Sequence, residues 1–401
     1  MRGRLLHLAM GVLGAALACA LAIALVGCGA QNQGSAQGGA TGSEPIKIGA
    51  IVSLTGSYAS LGEPEKKAIE AEVKRINDAG GINGRKVEVI FEDDGTDNTK
   101  AVAAAAKLIS QDKVVAIIGA TGTAQSMAIR NEIDRAGIPQ VSMAGGNAIT
   151  GTFDPLVFQT AWSNALVVPY ELEYLKKQGI TKIALISDSG GFGKDGVAII
   201  AAEAPKYGIK IVSNQTFNVG DTDMTAQLTN IKNSGAQALV IWTAGKEASM
   251  VLTGAKQLGL AMPIYGSHGN ARQEFIAGAG DAANGVRIGA GHVLIPSTYG
   301  TGTPEFETAT KFIDSYKAAN GQPPSTFAGH AYDAINLIAN AAKTVTGELT
   351  PQALRAALEK TNGFPGIGGV FVFSPTDHSG LNAKDLTMYE IKDGTWTLAP
   401  Q

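Results

Sequence analysis

Two short segments rich in small residues have the composition of a carboxylate-binding site. Residues 120–123 read Ala-Thr-Gly-Thr and residues 144–146 read Ala-Gly-Gly, and each follows a short apolar run. Small side chains leave backbone N–H groups accessible, and such groups bind carboxylates well. The alternative is that both segments are ordinary connections between a strand and the next element. Two such segments in succession favour the binding interpretation.

The elements around these segments predict that they lie side by side. The apolar run over residues 114–118 is too short for a helix and predicts a strand buried in a parallel sheet. A helical pattern over residues 127–136 ends at Gly137, and a second strand is predicted over residues 138–143. Both small-residue segments then follow parallel strands. They are expected at the carboxyl edge of the sheet, where open α/β sheets bind ligands.

The same alternation of strands and helices extends over most of the 401 residues and predicts an α/β fold. One unit with Rossmann-like alternation covers residues 46–146 and a second covers residues 167–266. Three further helices and two strands are predicted between residues 304 and 391. They are too few for a third sheet and are expected to pack on the two units.

The N-terminal residues have the layout of an export signal. Arg2 and Arg4 precede a long apolar stretch that ends Leu-Val-Gly-Cys at Cys28. This layout is typical of a signal peptide, and the tetrad resembles a bacterial lipobox, in which the Cys is acylated. We expect residues 1–27 to be the signal peptide, Cys28 to carry lipid, and residues 28–44 to be a flexible tether. An uncleaved membrane anchor is the alternative.

Charge and cysteine content exclude several classes of function. The net charge is −3 and no cluster of basic residues occurs, so no nucleic-acid partner is expected. Cys19 would be removed with the signal peptide and Cys28 would be acylated, which leaves the mature chain without a thiol or a disulfide.

No cofactor, metal or catalytic activity is predicted. Residues 191–196 match the dinucleotide-binding pattern G-x-G-x-x-G, but no Asp or Glu occurs at residues 216–219 to bind a ribose hydroxyl. The acidic residues between positions 92 and 97 lack the spacing of a calcium loop. The five histidines show no metal-ligand spacing, and no nucleophile motif is found.

The chain resembles the branched-chain amino-acid branch of the ABC-importer substrate-binding proteins, which are type I periplasmic binding proteins. The segments that carry the resemblance, which spans residues 46–398, are 46–94, 112–126, 137–146, 187–196, 265–270 and 325–334. It implies two lobes joined by three crossover strands, with a ligand cleft between them that closes on the ligand. Lobe 1 is expected to comprise residues 45–160 and 290–376, and lobe 2 residues 161–289 and 377–401.

The resemblance also assigns the carboxylate-binding positions. Backbone and hydroxyl contacts to the ligand carboxylate fall at Thr123, Ala144 and Gly146, and Gly122 lies in the same segment as Thr123. We call residues 120–123 the first elbow and residues 144–146 the second elbow. The family commonly has a hydroxyl residue at the position of Gly146. We expect that Ser142 compensates for its absence.

Residues that cover the ligand fall at Phe192 in lobe 2 and Leu61 in lobe 1. The acidic residue that binds the ammonium group in amino-acid binders is replaced here by His268. A neutral or partly protonated imidazole cannot replace a carboxylate, which favours an amine-free hydrophobic or aromatic carboxylate over a free amino acid. A loop histidine bonded to backbone is the alternative. Trp162 and Trp242 are further candidates for the cleft, or else core residues.

The expected function is that of a monomeric, lipid-anchored solute-binding protein on the extracytoplasmic face of the cell membrane. It would deliver a branched-chain amino acid or an aromatic or aliphatic acid to ABC permease subunits. A ligand-sensing receptor lipoprotein on the same fold is the alternative. An extracellular enzyme is a third possibility that no nucleophile–base pair supports.

Overall fold

The computed structural model describes residues 44–401. The expected signal peptide, the acylated Cys28 and all but the last residue of the expected tether lie outside these residues. Within the described part of the chain, no helix is long and apolar enough to cross a membrane.

The first lobe is built on a five-stranded parallel sheet with the order β2-β1-β3-β4-β5. Its elements are β1 (Ile46–Val52), α1 (Ala59–Asp78), β2 (Val87–Asp93), α2 (Asn98–Ser110), β3 (Ile117–Gly119), α3 (Thr123–Ala128), α4 (Arg130–Ala136), β4 (Gln140–Ser142) and β5 (Val157–Gln159). Strands β3, β4 and β5 are buried along their whole length, as their apolar composition requires.

The second lobe is built on a seven-stranded sheet with the order β14-β13-β10-β9-β8-β6-β7. Its first elements are α5 (Asn164–Lys177), β6 (Lys182–Asp188), α6 (Gly191–Glu203), β7 (Lys210–Phe217), α7 (Thr225–Lys232), β8 (Ala238–Trp242), α8 (Glu247–Gln257), β9 (Ile264–Gly266), α9 (Gln273–Ala279) and β10 (Arg287–Gly291). Strands β6 to β10 pair in parallel. The α/β class and the two-lobed architecture predicted from the sequence are therefore confirmed.

The chain then returns to the first lobe and ends in the second. The returning elements are α10 (Pro304–Asn320), α11 (Thr326–Thr344), α12 (Pro351–Leu358), β11 (Asn362–Pro365) and β12 (Val370–Val372). The last strands, β13 (Leu386–Lys392) and β14 (Thr395–Leu398), add antiparallel strands to the second sheet. The chain thus crosses between the lobes after β5, after β10 and between β12 and β13. The exact lobe limits inferred from the sequence remain a prediction.

Helix α11 joins the returning segment to the core of the first lobe. It packs along α1, and its apolar residues lie in the same core as β1 and β3. Ser325 caps its first turn by accepting a hydrogen bond from the Ala328 amide at 3.4 Å. Because α11 begins at the cavity described below, this cap positions the first turn of the helix beside it.

Several sequence predictions differ from the structure. The last of the three helices expected after residue 304 was predicted from the sequence over residues 351–361, and this end is wrong, since α12 ends at Leu358 and the following Asn362–Pro365 forms a strand. Strand β5 was not predicted, and neither was β14, which follows the strand expected to be the last. Strands β11 and β12 pair only with each other, so they form a small separate sheet in addition to the two main ones.

Candidate functional site

A cavity lies where residues of both lobes meet. The first lobe contributes the elbows after β3 and β4, the start of α1 and the first turns of α11. The second lobe contributes the start of α6 and the loops after β8 and β9. The lining residues are Tyr58, Leu61, Thr121, Gly122, Thr123, Met143, Ala144, Gly145, Ala161, Phe192, Ala244, His268, Gly269, Phe327 and His330.

Six of the residues predicted for the site line this cavity. They are Leu61, Gly122, Thr123, Ala144, Phe192 and His268. The other four, Ser142, Gly146, Trp162 and Trp242, do not line it but lie in the layer directly behind its walls. The structure therefore brings six of the ten predicted residues together at one cavity and places the other four behind its walls.

A hydrogen bond joins the two elbows of the first lobe. The Gly146 amide donates to the Thr123 Oγ1 at 3.1 Å. A Cβ atom at Gly146 would lie 2.2 Å from the Thr123 Cγ2 atom, which is closer than any side chain tolerates. A side chain at position 146 would therefore require the Thr123 side chain to move.

Ser142 supports the second elbow from behind. Its side chain is fully buried, its Oγ lies 2.8 Å from the Ser126 Oγ, and it accepts a hydrogen bond from the Ala144 amide at 3.3 Å. Ser142 is hydrogen-bonded within the protein and does not line the cavity. Its hydroxyl therefore does not lie where it could replace the hydroxyl group that Gly146 lacks.

The elbows also carry backbone donors. The amides of Gly122 and Gly145 donate to no acceptor within residues 44–401, and Thr123 is the first residue of α3, where amides lack an intrahelical partner. All three residues line the cavity. Amides in this setting are suited to binding a carboxylate.

The remaining walls of the cavity are apolar or aromatic. Tyr58 and Leu61 come from the start of α1, Phe192 from α6 and Phe327 from α11. Burial next to the carboxyl groups of Asp188 and Glu247 raises the pKa of Tyr58 well above its usual value, so its phenol stays protonated.

Trp162 and Trp242 pack behind these walls. The Trp242 ring stacks on Phe192 at a centroid distance of 6.2 Å, and its Nε1 donates to Asn164 at 3.1 Å. The Trp162 Nε1 donates to the Gly368 carbonyl at 3.0 Å, and the ring meets His330 edge-on. Of the two alternatives considered for these residues, the structure places them in the core that holds the cavity walls.

Two histidines from opposite lobes line the cavity. His268 lies in the short segment after β9, contacts the Phe192 ring edge-on at 5.1 Å and is 4% exposed. His330, on α11, is 3% exposed. Burial lowers the pKa of both imidazoles to about 3, against the weaker effects of the Trp162 carbonyl on His268 and of the Thr160 carbonyl on His330. Both are therefore neutral at physiological pH.

These imidazoles are incompletely hydrogen-bonded. Both ring nitrogens of His268, and the Nδ1 of His330, lack a hydrogen-bond partner among the residues that the structure describes. The Trp162 carbonyl is near enough to act on the His268 pKa but forms no hydrogen bond of normal geometry with the ring, so a ligand partner and a backbone partner remain the two alternatives for this residue. Buried polar atoms without a partner are uncommon and point to a missing ligand or water.

Charged side chains are kept behind the lining. None of the described residues that line the cavity is an Asp, Glu, Lys or Arg. Glu65 accepts a hydrogen bond from the Thr121 hydroxyl behind the first elbow, and burial raises its pKa well above the usual value. Arg272 is buried and donates to the carbonyls of Gly269 and Gly245. The cavity itself is uncharged.

The lobes are in direct contact in two places beside the cavity. The Ser57 hydroxyl donates to Glu247 at 2.7 Å. The Asp195 carboxylate accepts from the amides of Asn147 at 2.7 Å and Ala148 at 3.1 Å. Residues of the two lobes are therefore joined by hydrogen bonds beside the cavity in this structure.

The glycines that match a dinucleotide-binding pattern serve helix packing. A Cβ atom at Gly193 would lie 2.4 Å from the Asp188 carbonyl, and one at Gly196 would lie 1.9 Å from the Trp242 Nε1. The acidic residues after β2 bind the loop beside them, since Asp93 accepts from the Leu54 amide at 2.8 Å. No group of three or more His, Cys, Asp or Glu residues within 44–401 is arranged to hold a metal ion.

Several lining residues were not identified from the sequence. Thr121 and Gly145 belong to the two predicted elbows, so they could have been included from the residues next to them in the sequence. Phe327 and His330 lie in a segment that supported the family resemblance, but no pattern in the sequence connects α11 to the elbows. Tyr58 likewise gave no local signal, because its contact with the second lobe depends on how the lobes meet.

Comparison with known proteins gives a consistent family match. The family model described as "Periplasmic binding protein" matches residues 45–395. The leucine-, isoleucine-, valine-, threonine-, and alanine-binding protein of Pseudomonas aeruginosa is 28% identical over 364 residues, which cover 88% of this chain and 92% of the relative.

Solved structures of similar proteins share the whole fold. An extracellular ligand-binding receptor from Rhodopseudomonas palustris superimposes with a TM-score of 0.83 at 28% identity, covering 88% of this chain and 99% of the other. The branched-chain amino acid transporter substrate binding protein LivJ from Streptococcus pneumoniae, solved with isoleucine, gives a TM-score of 0.77 at 29% identity and covers 88% and 97%.

Proposed function

Because this chain belongs to the periplasmic binding protein family, we propose that it is the extracytoplasmic solute-binding component of an ABC importer. It captures a small hydrophobic carboxylate between its lobes and presents the closed complex to permease subunits in the membrane. The observation that carries this proposal is the uncharged cavity at the junction of the lobes, with donors on one side and aromatic residues on the other.

The ligand carboxylate is assigned to the elbows of the first lobe. The Thr123 side chain and the amides of Gly122, Thr123 and Gly145 supply donors, and Ala144 lies between them along the cavity wall. Leu61, Phe192 and Phe327 cover the apolar part of the ligand. Ligand pockets commonly combine a few oriented polar groups with a mostly apolar lining in this way.

Lobe closure is the proposed working motion. The contacts of Ser57 with Glu247 and of Asp195 with Asn147 join surfaces that must separate for a ligand to enter. Hinged closure around a ligand is a well-established motion of two-lobed binding proteins. The open form would expose the elbows, and the closed form would be the one that a permease recognises.

The N-terminal residues complete the proposal. Residues 1–27 act as a signal peptide, and Cys28 carries the lipid that keeps the monomer on the extracytoplasmic face of the membrane. The family match and the residues that line the cavity support a binding protein rather than an enzyme, because no paired nucleophile and base line the cavity within residues 44–401.

A thermal-shift screen of the full-length chain in detergent tests this function. The panel contains branched-chain amino acids and the corresponding aliphatic and aromatic carboxylates. A ligand at a hundred times its Kd stabilises the folded state by about 2.7 kcal/mol, which raises the Tm by several degrees. If no member of the panel raises the Tm, and calorimetry also detects no binding, the proposed function is wrong.

A further inference from the structure

His268 and His330 form a pair that faces the cavity from opposite lobes. His268 lies beside the second elbow, since a Cβ atom at Gly145 would be only 2.4 Å from its Nε2. His330 lies on the other side of Trp162, which its ring meets edge-on at a centroid distance of 4.9 Å. Both imidazoles line the cavity. If the ligand carboxylate binds at the elbows, a polar group on the adjacent carbon of the ligand would therefore lie near these rings.

The unpaired nitrogens of this pair argue against a purely structural role. A buried histidine that only fills space normally has hydrogen bonds from its surroundings. Here three ring nitrogens of the pair have no partner in the part of the chain that the structure describes. The Trp162 carbonyl near His268 and the Thr160 carbonyl near His330 affect the pKa of the rings but form no hydrogen bond of normal geometry with them, so these nitrogens are able to bond a group that enters the cavity.

The surroundings disfavour an ammonium group. An amino acid would bring its ammonium into a cavity that no carboxylate of the described residues lines. Glu65, a buried acid behind the first elbow, is separated from the cavity by Thr121, and burial raises its pKa, which disfavours its charged form. Burying an unpaired ammonium is costly because its hydration is not replaced.

A buried cation near the cavity adds to this effect. The guanidinium of Arg272 lies 5.9 Å from the ring of Phe327, which lines the cavity, and its hydrogen bonds go to backbone carbonyls. None of the ion pairs found in residues 44–401 involves Arg272. A positive charge so placed disfavours an ammonium near Phe327, and the Glu247 carboxylate, which acts on both Arg272 and Tyr58, offsets part of this effect.

We propose that the His268–His330 pair selects a carboxylate that lacks an ammonium group and carries an uncharged oxygen, a hydroxyl or a carbonyl, on the adjacent carbon. This inference rests on the proposed function and specifies its ligand class. A neutral imidazole has one donor and one acceptor nitrogen, so a hydroxyl is able to bond to both kinds and a carbonyl accepts from the donor. The hydrophobic remainder of the ligand lies against the aromatic walls.

The direct test is calorimetry on the full-length chain with ligands that differ at one carbon. One series on the leucine skeleton comprises leucine, its 2-oxo acid, its 2-hydroxy acid and 4-methylpentanoate. A second series comprises phenylalanine, phenylpyruvate, 3-phenyllactate and 3-phenylpropanoate. The expected result is that, in at least one series, an oxygen-bearing acid binds at least tenfold tighter than both the amino acid and the unsubstituted acid.

The outcomes separate the two proposals. If the amino acids bind as tightly as the oxygen-bearing acids, or the unsubstituted acids bind equally well, the inference on selection is wrong while the proposed function stands. Tight binding of leucine would point to Glu65 as the ammonium partner instead. If no compound of either series binds, the proposed function fails and the selection falls with it.

Variants then test the histidines themselves. His330→Phe and His268→Phe keep an aromatic ring but remove both nitrogens, and each is expected to reduce the preference for the oxygen-bearing acid over the unsubstituted acid at least tenfold. His330→Gln retains a donor and an acceptor and should keep part of that preference. His378→Phe is the matched control, because His378 is also buried but stacks on Phe158 away from the cavity.

The measured quantity is the ratio of the affinities for the oxygen-bearing acid and the unsubstituted acid. A general loss of stability lowers both affinities and leaves this ratio unchanged. Circular dichroism identifies any variant that fails to fold, and His268→Leu or His330→Leu, which also lacks the ring nitrogens, then replaces it. An unchanged ratio in the folded His268 and His330 variants would overturn the assignment of these residues.

Discussion

At the scale of single residues, Thr123 has two roles in the first lobe. Its hydroxyl accepts from the Gly146 amide, and its side chain lines the cavity and fills the space that a side chain at position 146 would need. One residue thus joins the two elbows and, in the proposed function, supplies a polar group to the ligand. Its side chain also occupies the space next to Gly146.

Replacing Thr123 with Val is expected to weaken ligand binding more than tenfold. The change keeps the shape of the side chain but removes the hydroxyl that bonds the Gly146 amide and faces the ligand. A calorimetric titration with the best ligand of the screen measures the effect. Thr326→Val, which removes a buried hydroxyl bonded to the Ala271 carbonyl, is a control for the loss of a buried hydroxyl. Equal affinities of Thr123→Val and the wild type would refute the role of this hydroxyl.

Glu171 is expected to make the protein less stable as pH rises. Burial raises its pKa to about 8 in the folded state, although its Oε1 accepts from the Gly289 amide at 3.0 Å. The unfolded chain ionises this carboxyl near pH 4.3, so its contribution to stability is full below that pH and is lost as pH rises towards about 8. Glu171→Gln mimics the protonated carboxyl and should remove this pH dependence.

Urea denaturation at pH 5, 7 and 9 measures this effect. The free energy of unfolding of the Glu171→Gln variant should exceed that of the wild type increasingly towards pH 9, by up to a few kcal/mol. Glu173→Gln, an exposed change on the same helix, serves as the control. Parallel pH curves for the wild type and Glu171→Gln would show that Glu171 does not carry the proton.

At the scale of elements, the starts of α3 and α6 approach each other across the two lobes. A Cβ atom at Gly191 would lie 2.8 Å from the Ala124 amide nitrogen and 3.0 Å from its Cα. Backbone atoms cannot move aside as the end of a side chain can. The absence of a side chain at Gly191 is therefore a condition for the closed arrangement of the lobes.

Gly191→Ala is expected to weaken ligand binding at least tenfold without lowering the Tm of the ligand-free protein by more than a few degrees. The added methyl group keeps the lobes apart, but within its own lobe alanine is a favourable residue at a helix start. Calorimetry and thermal unfolding measure the two quantities. Lys194→Ala, at an exposed position of the same helix, should change neither. Wild-type affinity in Gly191→Ala would mean that ligand binding tolerates a wider separation.

Sequence patterns predicted the long elements well and the short ones poorly. Strand β8, with the continuous apolar run Ala238–Trp242, can only be a buried strand of an α/β sheet. Strands β5 and β14 have three and four residues, which is too short for a period to be recognised, and they are defined by pairing with distant strands. These two strands form because of tertiary contacts, which cannot be recognised from a short stretch of the sequence.

The same limit applies to the site. The elbows were predictable because small residues after two consecutive parallel strands must lie at one sheet edge. His330 was considered only for metal spacing, because its approach to the cavity depends on how α11 packs on α1. Trp162 and Trp242 were correctly placed near the cleft region, but whether an indole faces a cavity or lies behind its wall is decided by side-chain packing.

At the scale of the whole molecule, the contacts between the lobes determine how long a closed state lasts. Asp195 connects α6 to the segment after the second elbow through two backbone amides and also accepts from the Asn164 side chain at 2.7 Å. Glu247 connects Ser57 to the Gly220 amide. In the proposed lobe closure, the bonds of Asp195 to the amides of Asn147 and Ala148 and of Glu247 to Ser57 form only when the lobes are close together, so they would stabilise the closed form and not the open one.

Asp195→Ala is expected to accelerate ligand release and to reduce affinity about tenfold, since it removes hydrogen bonds that exist only in the closed form. Stopped-flow measurements give the dissociation rate, and small-angle scattering at saturating ligand should give a larger radius of gyration than for the wild type. Glu203→Ala, near the far end of the same helix, is the control. An unchanged dissociation rate would show that these contacts do not hold the lobes together.

The position of the indoles gives the protein a built-in optical signal. Of its three tryptophans, Trp162 and Trp242 lie directly behind the cavity walls, one at the first crossing between the lobes and the other against Phe192. The third, Trp396, packs on Tyr389 within the second lobe. Indole emission depends on local polarity, so filling or opening the cavity changes the fluorescence of two tryptophans while the third serves as an internal reference. Occupancy of the cavity is thereby readable without a dye, a label or an added reporter domain.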